Sequence, residues 1–349
     1  MHGWPERWAT RSTIARTPGE AGLFLALAPM DGVTDAVFRA LLSGLFGGQS
    51  GISLCVSEFV RVTDVPPPAA VILRHCPELG RGGVTAGGVP VFVQLLGGDP
   101  APMAEAARRA AELGAPGIDL NFGCPARRVN NRDGGATLLK YPGRLRGIVA
   151  AVRDAVPQEI PVSAKIRVGW ADDGGLERIV AAAAAGGASW ITIHARTRMQ
   201  GYTPPVHWRA LARAQGLTAA PLIANGDIFC VEDIVACAAQ SGCDAFMIGR
   251  GAMSAPDLFA RARGARPEGL SLGDFVELWR TYYSRLLAAG VSELRALSRV
   301  KQWLRFAGQQ CPPIAGLFEQ LKVVREWRLA DALFDEVMRE TPGVSGSVE

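Results

Sequence analysis

Cys124 sits between Gly123 and Pro125 in NFGCP, where the apolar run APGIDLNFGCP ends. A thiol on such a turn, beside the amide of Asn121, has the chemistry of a proton donor. Its unperturbed pKa of ~8.5 leaves it mostly protonated at neutral pH, as a general acid must be. The same termination recurs at seven other apolar runs. Asp31 follows Pro29 and Met30 in LFLALAPM, Glu58 and Arg61 close ISLCVSEFV, and Gln94 stands in VPVFVQLLGG. Lys165 and Arg167 belong to PVSAKIRVGW, His194 and Arg196 to WITIHARTR, Asn225, Gly226 and Asp227 to PLIANGDI, and Gly249 and Arg250 to DAFMIGRGA.

Taken singly, each has a plainer explanation. PMDG, NGD and GRG are common turn sequences, Gln94 can cap a helix, and a lone cysteine is more often a small buried hydrophobe than a reactive group. Separate structural roles do not, however, place a polar group at the end of every one of eight apolar runs. The cations Lys165, Arg167, Arg196 and Arg250, with His194 if protonated, gather on the last four runs, where the backbone N–H groups of NGDI and IGRGA are also available. That is a phosphate corner. The same cations would favour a thiolate at Cys124 unless a ligand's phosphates neutralise them.

No metal site accompanies the set, since His194 and His207 lack helical i, i+4 spacing and no Cys/His cluster occurs. There is no serine nucleophile elbow and no Walker loop. A phosphate-bearing organic cofactor is the natural occupant.

The elements that must carry these groups follow from periodicity. The eight runs are β-rich, and segments such as APMAEAARRAAELG and GGLERIVAAAAAGG between them have helical spacing. Strands that are apolar throughout have both faces covered, and an eightfold strand–helix alternation predicts closure into an α/β fold, a (β/α)8 TIM barrel. An open doubly wound sheet is the competing fold, and the lack of G-x-G-x-x-G after the first strand argues against it. After RPEGLSLGD the strands stop, and three amphipathic stretches predict a small all-helical domain. The expected divisions are an N-terminal extension at 1–21, the barrel at 22–265, the helical domain at 266–341 and a tail at 342–349.

The 349 residues, 48% of them hydrophobic, suffice for a real core plus a smaller unit. Thirty-seven Lys and Arg against 33 Asp and Glu give only +4 overall, but from Arg280 to Arg328 nine basic residues face three acidic ones, a local +6. Arg295 and Arg299 lie one turn apart, with Lys301 and Arg305 in an adjacent row and Trp303 as a packing or stacking group. A merely solvated basic face with Trp303 in the core fits the sequence equally well. Seven cysteines with no C-x-x-C pair predict a reduced, cytoplasmic protein. The longest uncharged apolar run, IVAAAAAGGASWITI, is shorter than the ~20 residues of a membrane span.

LAPMDGVTDAVFR, VQLLGGDP, NFGCP, KIRVGW, IHARTRMQGY, IANGDI and MIGRGA, in this order and spacing, resemble the tRNA-dihydrouridine synthases. SEFVRVTD, LSRVKQWL and the tail resemble the bacterial C subclass, which modifies uridine 16 of the D-loop. The resemblance implies an FMN enzyme that reduces the C5=C6 bond of a tRNA uracil with NADPH as electron source. Hydride would pass from flavin N5 to C6 and a proton from Cys124 to C5. It also places Pro29, Met30, Asp31, Gln94, Lys165, Asn225, Gly226, Asp227, Gly249 and Arg250 on flavin positions, with His194 and Arg196 near the phosphate. Arg61, Asn121, Tyr202, Arg299, Lys301 and Lys322 fall on positions that meet the RNA. The partner implied is tRNA, with no membrane or protein partner, and a monomer is expected.

Two other functions share parts of this pattern. A flavin barrel acting on a small pyrimidine would have the same strand ends but gives no reason for a basic helical tail. A non-catalytic RNA-binding protein on a barrel scaffold gives no reason for Cys124 beside a complete flavin set.

Overall fold

In the computed structural model, which describes residues 23–47, 51–126, 134–266 and 268–340, nine strand segments form one all-parallel sheet. They are β1 (Phe24–Leu27), β2 (Leu54–Val56), β3 (Val60–Arg61), β4 (Val91–Leu96), β5 (Ile118–Asn121), β6 (Val162–Gly169), β7 (Trp190–Thr197), β8 (Leu222–Asn225) and β9 (Ala245–Ile248). β1 pairs with both β2 and β9, and β2 also pairs with β4, so the sheet closes on itself. The predicted second strand is broken at Ser57–Phe59 into β2 and β3, which both pair with β4. The barrel therefore has eight staves, one of them in two pieces.

Around it lie α1 (Ala36–Phe46), α2 (Ala69–His75), α3 (Pro100–Glu112), α4 (Pro142–Ala155), α5 (Leu176–Ala185), α6 (Trp208–Ala212), α7 (Val231–Ser241), α8 (Gly251–Ser254) and α9 (Leu258–Ala262). Local chemistry sets their starts. Asp35 caps α1 by accepting from Phe38 N at 2.8 Å, and Asp99 caps α3 with Pro100 in its first turn. Every residue of β4 is buried, as expected of a strand covered by helices outside and side chains inside.

Alternate residues point into the barrel. Its closed end is filled by a separate apolar cluster that includes Ala26, Leu54, Phe92, Trp190, Ile223 and Met247, with the Phe92 and Trp190 rings 5.3 Å apart. Two residues further along the strands the inward positions turn polar: Phe92 gives way to Gln94 and Ile223 to Asn225. Apolar interior below and polar interior above is what makes the C-terminal end of the barrel a site.

Four more helices follow: α10 (Leu272–Ala288), α11 (Glu293–Ala307), α12 (Pro312–Leu321) and α13 (Trp327–Glu340). A capping box between Ser271 and Asp274 starts α10. These helices share one core with the barrel. Trp303 is wholly buried, its ring 4.8 Å from Phe38 of α1 and 5.4 Å from Tyr282, and its Nε1 donates to the Met253 carbonyl at 2.9 Å. Of the two roles the sequence leaves open for Trp303, packing is the observed one. Tyr282 Oη donates to Asp35 and Ser254 Oγ to the Phe306 carbonyl, so α10 and α11 are fastened beside the mouth of the barrel. The expected extension at 1–21 and tail at 342–349 lie outside the described residues.

Candidate active site

The strand ends surround a cavity of about 870 Å³, within the ~300–1,000 Å³ of small-molecule sites. Pro29, Met30, Asp31, Gln94, Cys124, Lys165, His194, Asn225, Gly226, Asp227, Gly249 and Arg250 all line it, as do Arg61, Asn121 and Tyr202. Convergence from eight staves thus brings together nearly all the chemistry read from the sequence. Among the strand-end groups Glu58 and Arg196 are the exceptions. Glu58 accepts from the Gly32 backbone N–H at 2.5 Å beside the cavity. Arg196 is fully buried behind the wall, where Nη1 donates to Asp227 Oδ1 at 2.8 Å and Nη2 to Oδ2. Arg250 pairs with the same carboxylate and lies over the Tyr202 ring at 4.9 Å. Two of the corner's cations are therefore compensated by one acid, and Arg196 acts on the cavity only through Asp227.

That corner has a strained backbone. Gly226 has φ +121°, and a Cβ there would come within 3.1 Å of the His194 ring and 3.2 Å of Val206. Asp227 follows at φ +49°, a left-handed conformation that a short acidic side chain tolerates when its carboxylate is anchored, here by two arginines.

His194 is 8% exposed and its Nε2 has no hydrogen-bond partner. Burial, then the charges of Arg167, Lys165, Arg196 and Arg250, hold the imidazole well below its ordinary range. His194 is therefore neutral and not one of the corner's cations. A neutral ring with an unmatched buried nitrogen facing a cavity is suited to a ligand oxygen. Lys165 Nζ donates to Asn225 Oδ1 at 2.8 Å, and Asn225 Nδ2 donates to the Met247 carbonyl. Burial, with Arg167 adding, lowers the Lys165 ammonium from its ordinary value.

Cys124 is half-buried on the cavity wall. Burial raises its thiol pKa, with Asp31 adding and the Ala126 backbone, Arg167 and Arg61 opposing. Burial outweighs the nearby cations, so the group is a thiol and able to donate. Arg167, 2% exposed, donates from Nε to the Gly123 carbonyl at 2.8 Å and from Nη1 to the carbonyls of Thr197 at 3.0 Å and Gly201 at 2.8 Å. It ties the Cys124 turn to the loop carrying Tyr202, which is 55% exposed.

The helical tail reaches the cavity by residues that the sequence reading passes over. Gln302 and Phe306 of α11 line the mouth. They continue the row Arg295, Arg299 at helical spacing, so one face of α11 runs from the exposed Arg295 through the half-buried Arg299 to the cavity. Arg299 lies against the β1–α1 loop, its Nε 3.9 Å from Asp35 Oδ2. Lys301 Nζ donates to the Lys322 and Val324 carbonyls at the end of α12, and Lys322 pairs with Glu319. Neither Lys301 nor Lys322 lines the cavity. Among the described residues, no group of three or more His, Cys, Asp or Glu side chains could hold a metal ion.

A family model described as dihydrouridine synthase (Dus) matches residues 26–326. The chain belongs to the dihydrouridine synthase family. Its relatives include the tRNA-dihydrouridine(16) synthase of Pseudomonas putida, 44% identical over 302 residues that cover 85% of this chain and 92% of the relative. The enzyme of the same name from Cupriavidus necator is 43% identical over 93% of this chain and 99% of its own length, and that of Shewanella oneidensis 43% over 86% and 93%. The family match begins within β1, covers the other staves and runs through α12, so the strand-end cavity and the helices α10 to α12 beside it belong to one family unit.

Proposed function

We infer that this chain reduces the C5=C6 bond of a tRNA uridine, at position 16, to dihydrouridine, with FMN as its cofactor and NADPH as reductant. The observation that carries the reading is a half-buried thiol, Cys124, on the wall of the cavity where the cationic corner, the unmatched Nε2 of the buried His194 and the tail helix converge; burial, which raises the thiol's pKa, favours its proton-bearing form. FMN, when bound, supplies the hydride that reaches C6 and takes its own from NADPH.

The residues supply the rest. Met30, Gln94, Lys165, Asn225 and Gly249 would hold the ring system, and His194, Gly226 and Arg250 the phosphate end, where the unmatched Nε2 and the glycine cradle suit an oxygen-rich group. Cys124 delivers the proton to C5. A base stacked in a folded loop cannot reach a recessed thiol, so the target is splayed out, at a cost of a few kcal/mol that backbone contacts offset. Arg295 and Arg299, leading to Gln302 and Phe306, form the track along which those contacts are made, with Tyr202 across the mouth. No described helix is long and apolar enough to cross a membrane, and we place the work in the cytoplasm on a monomer.

Purified protein incubated with FMN, NADPH and unmodified tRNA should yield tRNA whose nucleoside digest contains dihydrouridine, mapped to position 16 by the mass gain of two hydrogens. Free uridine reduced as readily as tRNA would favour a small-pyrimidine reductase instead.

A further inference from the structure

Asp119 lies one layer below the cavity, 1% exposed, on β5. Its Oδ1 accepts from Ser163 Oγ at 2.6 Å and its Oδ2 from Gln94 Nε2 at 2.6 Å. Gln94 Oε1 in turn accepts from Asn121 Nδ2 at 2.9 Å, and Asn121 Oδ1 accepts from the backbone N–H groups of Gly123 at 3.0 Å and Cys124 at 2.9 Å.

The direction of this chain is fixed at both ends. Backbone N–H groups only donate, and the Asp119 carboxylate, pushed up by burial to about 6 against the Gln94 and Ser163 hydrogen bonds and the Lys165 charge, is ionised at neutral pH and only accepts, so neither amide can flip without setting donor against donor. We propose that Asp119 is a positioning residue for the reaction, its carboxylate terminating a one-way hydrogen-bond relay through Gln94 and Asn121 that holds the Cys124 turn in place. Asn121 has committed both lone pairs of its oxygen and one N–H, while Gln94 has committed one N–H and accepts a single hydrogen bond at Oε1, so each amide keeps one further N–H. A buried relay whose members fix one another's direction resists reorganisation, which is what a proton donor on a turn needs.

The proposal rests on Cys124 being the proton donor, so its test reads the thiol and not turnover. In the full-length protein at saturating FMN, the rate of Cys124 alkylation by iodoacetamide is measured by peptide mass spectrometry, with the half-buried Cys230 and Cys311 as internal references. Asp119→Ala removes the terminal acceptor, and Gln94→Met cuts the relay while leaving Asp119 in place. Each should raise the Cys124 rate by about tenfold, the equivalent of one hydrogen bond, with the reference cysteines within about twofold. Because both act through one relay, the double variant should remain near tenfold and not reach the product of the two. An unchanged Cys124 rate in either variant, a multiplicative double variant, or reference cysteines rising in step would overturn the proposal. Should Asp119→Ala fail to fold, Gln94→Met alone decides. If turnover proves independent of Cys124 while the relay effects hold, the functional reading fails and the relay stands.

Discussion

Replacing Arg167 with lysine keeps a positive charge beside Cys124 and removes the fork that binds three carbonyls. An ammonium in its place reaches one of Gly123, Thr197 and Gly201 and leaves two unmatched, so two hydrogen bonds are lost. At ~1 kcal/mol net for each, that is about 2 kcal/mol. If the whole loss falls on holding the thiol in its reactive position, turnover drops ~30-fold. Arg167→Met removes the charge as well. Arg167 opposes the upward push of burial on the thiol, so without it the Cys124 pKa rises further. The two effects separate in two assays: single-turnover reduction of unmodified tRNA, and Cys124 alkylation as a function of pH. Lysine should slow the first and leave the midpoint of the second nearly in place, while methionine should slow the first and move the midpoint to higher pH. Wild-type turnover in Arg167→Lys, or a lower midpoint in Arg167→Met, would refute the reasoning.

Three further outcomes follow from the same geometry. Because the buried His194 stays neutral and its pKa is depressed, the stability it contributes is present above the unfolded value near ~6.5 and lost as the pH falls towards the folded one. His194→Gln should therefore narrow the drop in Tm between about pH 7.5 and pH 5.5, and an equal drop in both proteins would count against a neutral buried ring. Trp303→Ala should cost ~3–5 kcal/mol in denaturant unfolding, as a core aromatic does, whereas a loss under ~1 kcal/mol would return Trp303 to the surface as a stacking group. Lys301→Met should cost ~1 kcal/mol by freeing the carbonyls that end α12, yet leave the salt dependence of tRNA binding unchanged, while Arg295→Ala should reduce the salt slope by about one. A reduced slope in the Lys301 variant would show that its amine reaches phosphate.

Much of this site is legible in the sequence because a barrel converts order along the chain into convergence in space. A polar residue just beyond an apolar strand has one place to go, which is why the sequence alone puts Cys124, Lys165 and Asn225 on one face. The same logic fails one layer down. Asp119 stands between Ile118 and Leu120 in an apolar run, and only the alternation of strand faces, followed two residues back from Asn121, could have marked it as lying beneath the site. Position along the chain puts Arg196 in the phosphate corner, but sequence does not reveal that Asp227 is near enough to neutralise it. Nor does it resolve the break in the second strand, since Ser57 and Glu58, where the backbone departs from the ladder, are two polar residues inside an otherwise β-rich run that a continuous strand would also tolerate. On α11 the charges draw attention to Arg299 and Lys301, although the groups that reach the cavity are Gln302 and Phe306, identifiable only as the continuation of the Arg295–Arg299 row. Trp303 shows the limit of composition: an indole amid arginines reads equally as stacking surface or as core until its neighbours Phe38 and Tyr282 are known.

The role of Cys124 is tested most directly by Cys124→Ala, loaded with FMN, reduced by NADPH and mixed without oxygen with unmodified tRNA. The variant should bind FMN and accept electrons from NADPH as the wild type does, while dihydrouridine formation falls by ~100-fold or more for want of a proton donor. Dihydrouridine appearing at the wild-type rate would contradict the assignment of Cys124 and, with it, the chemistry proposed for the cavity.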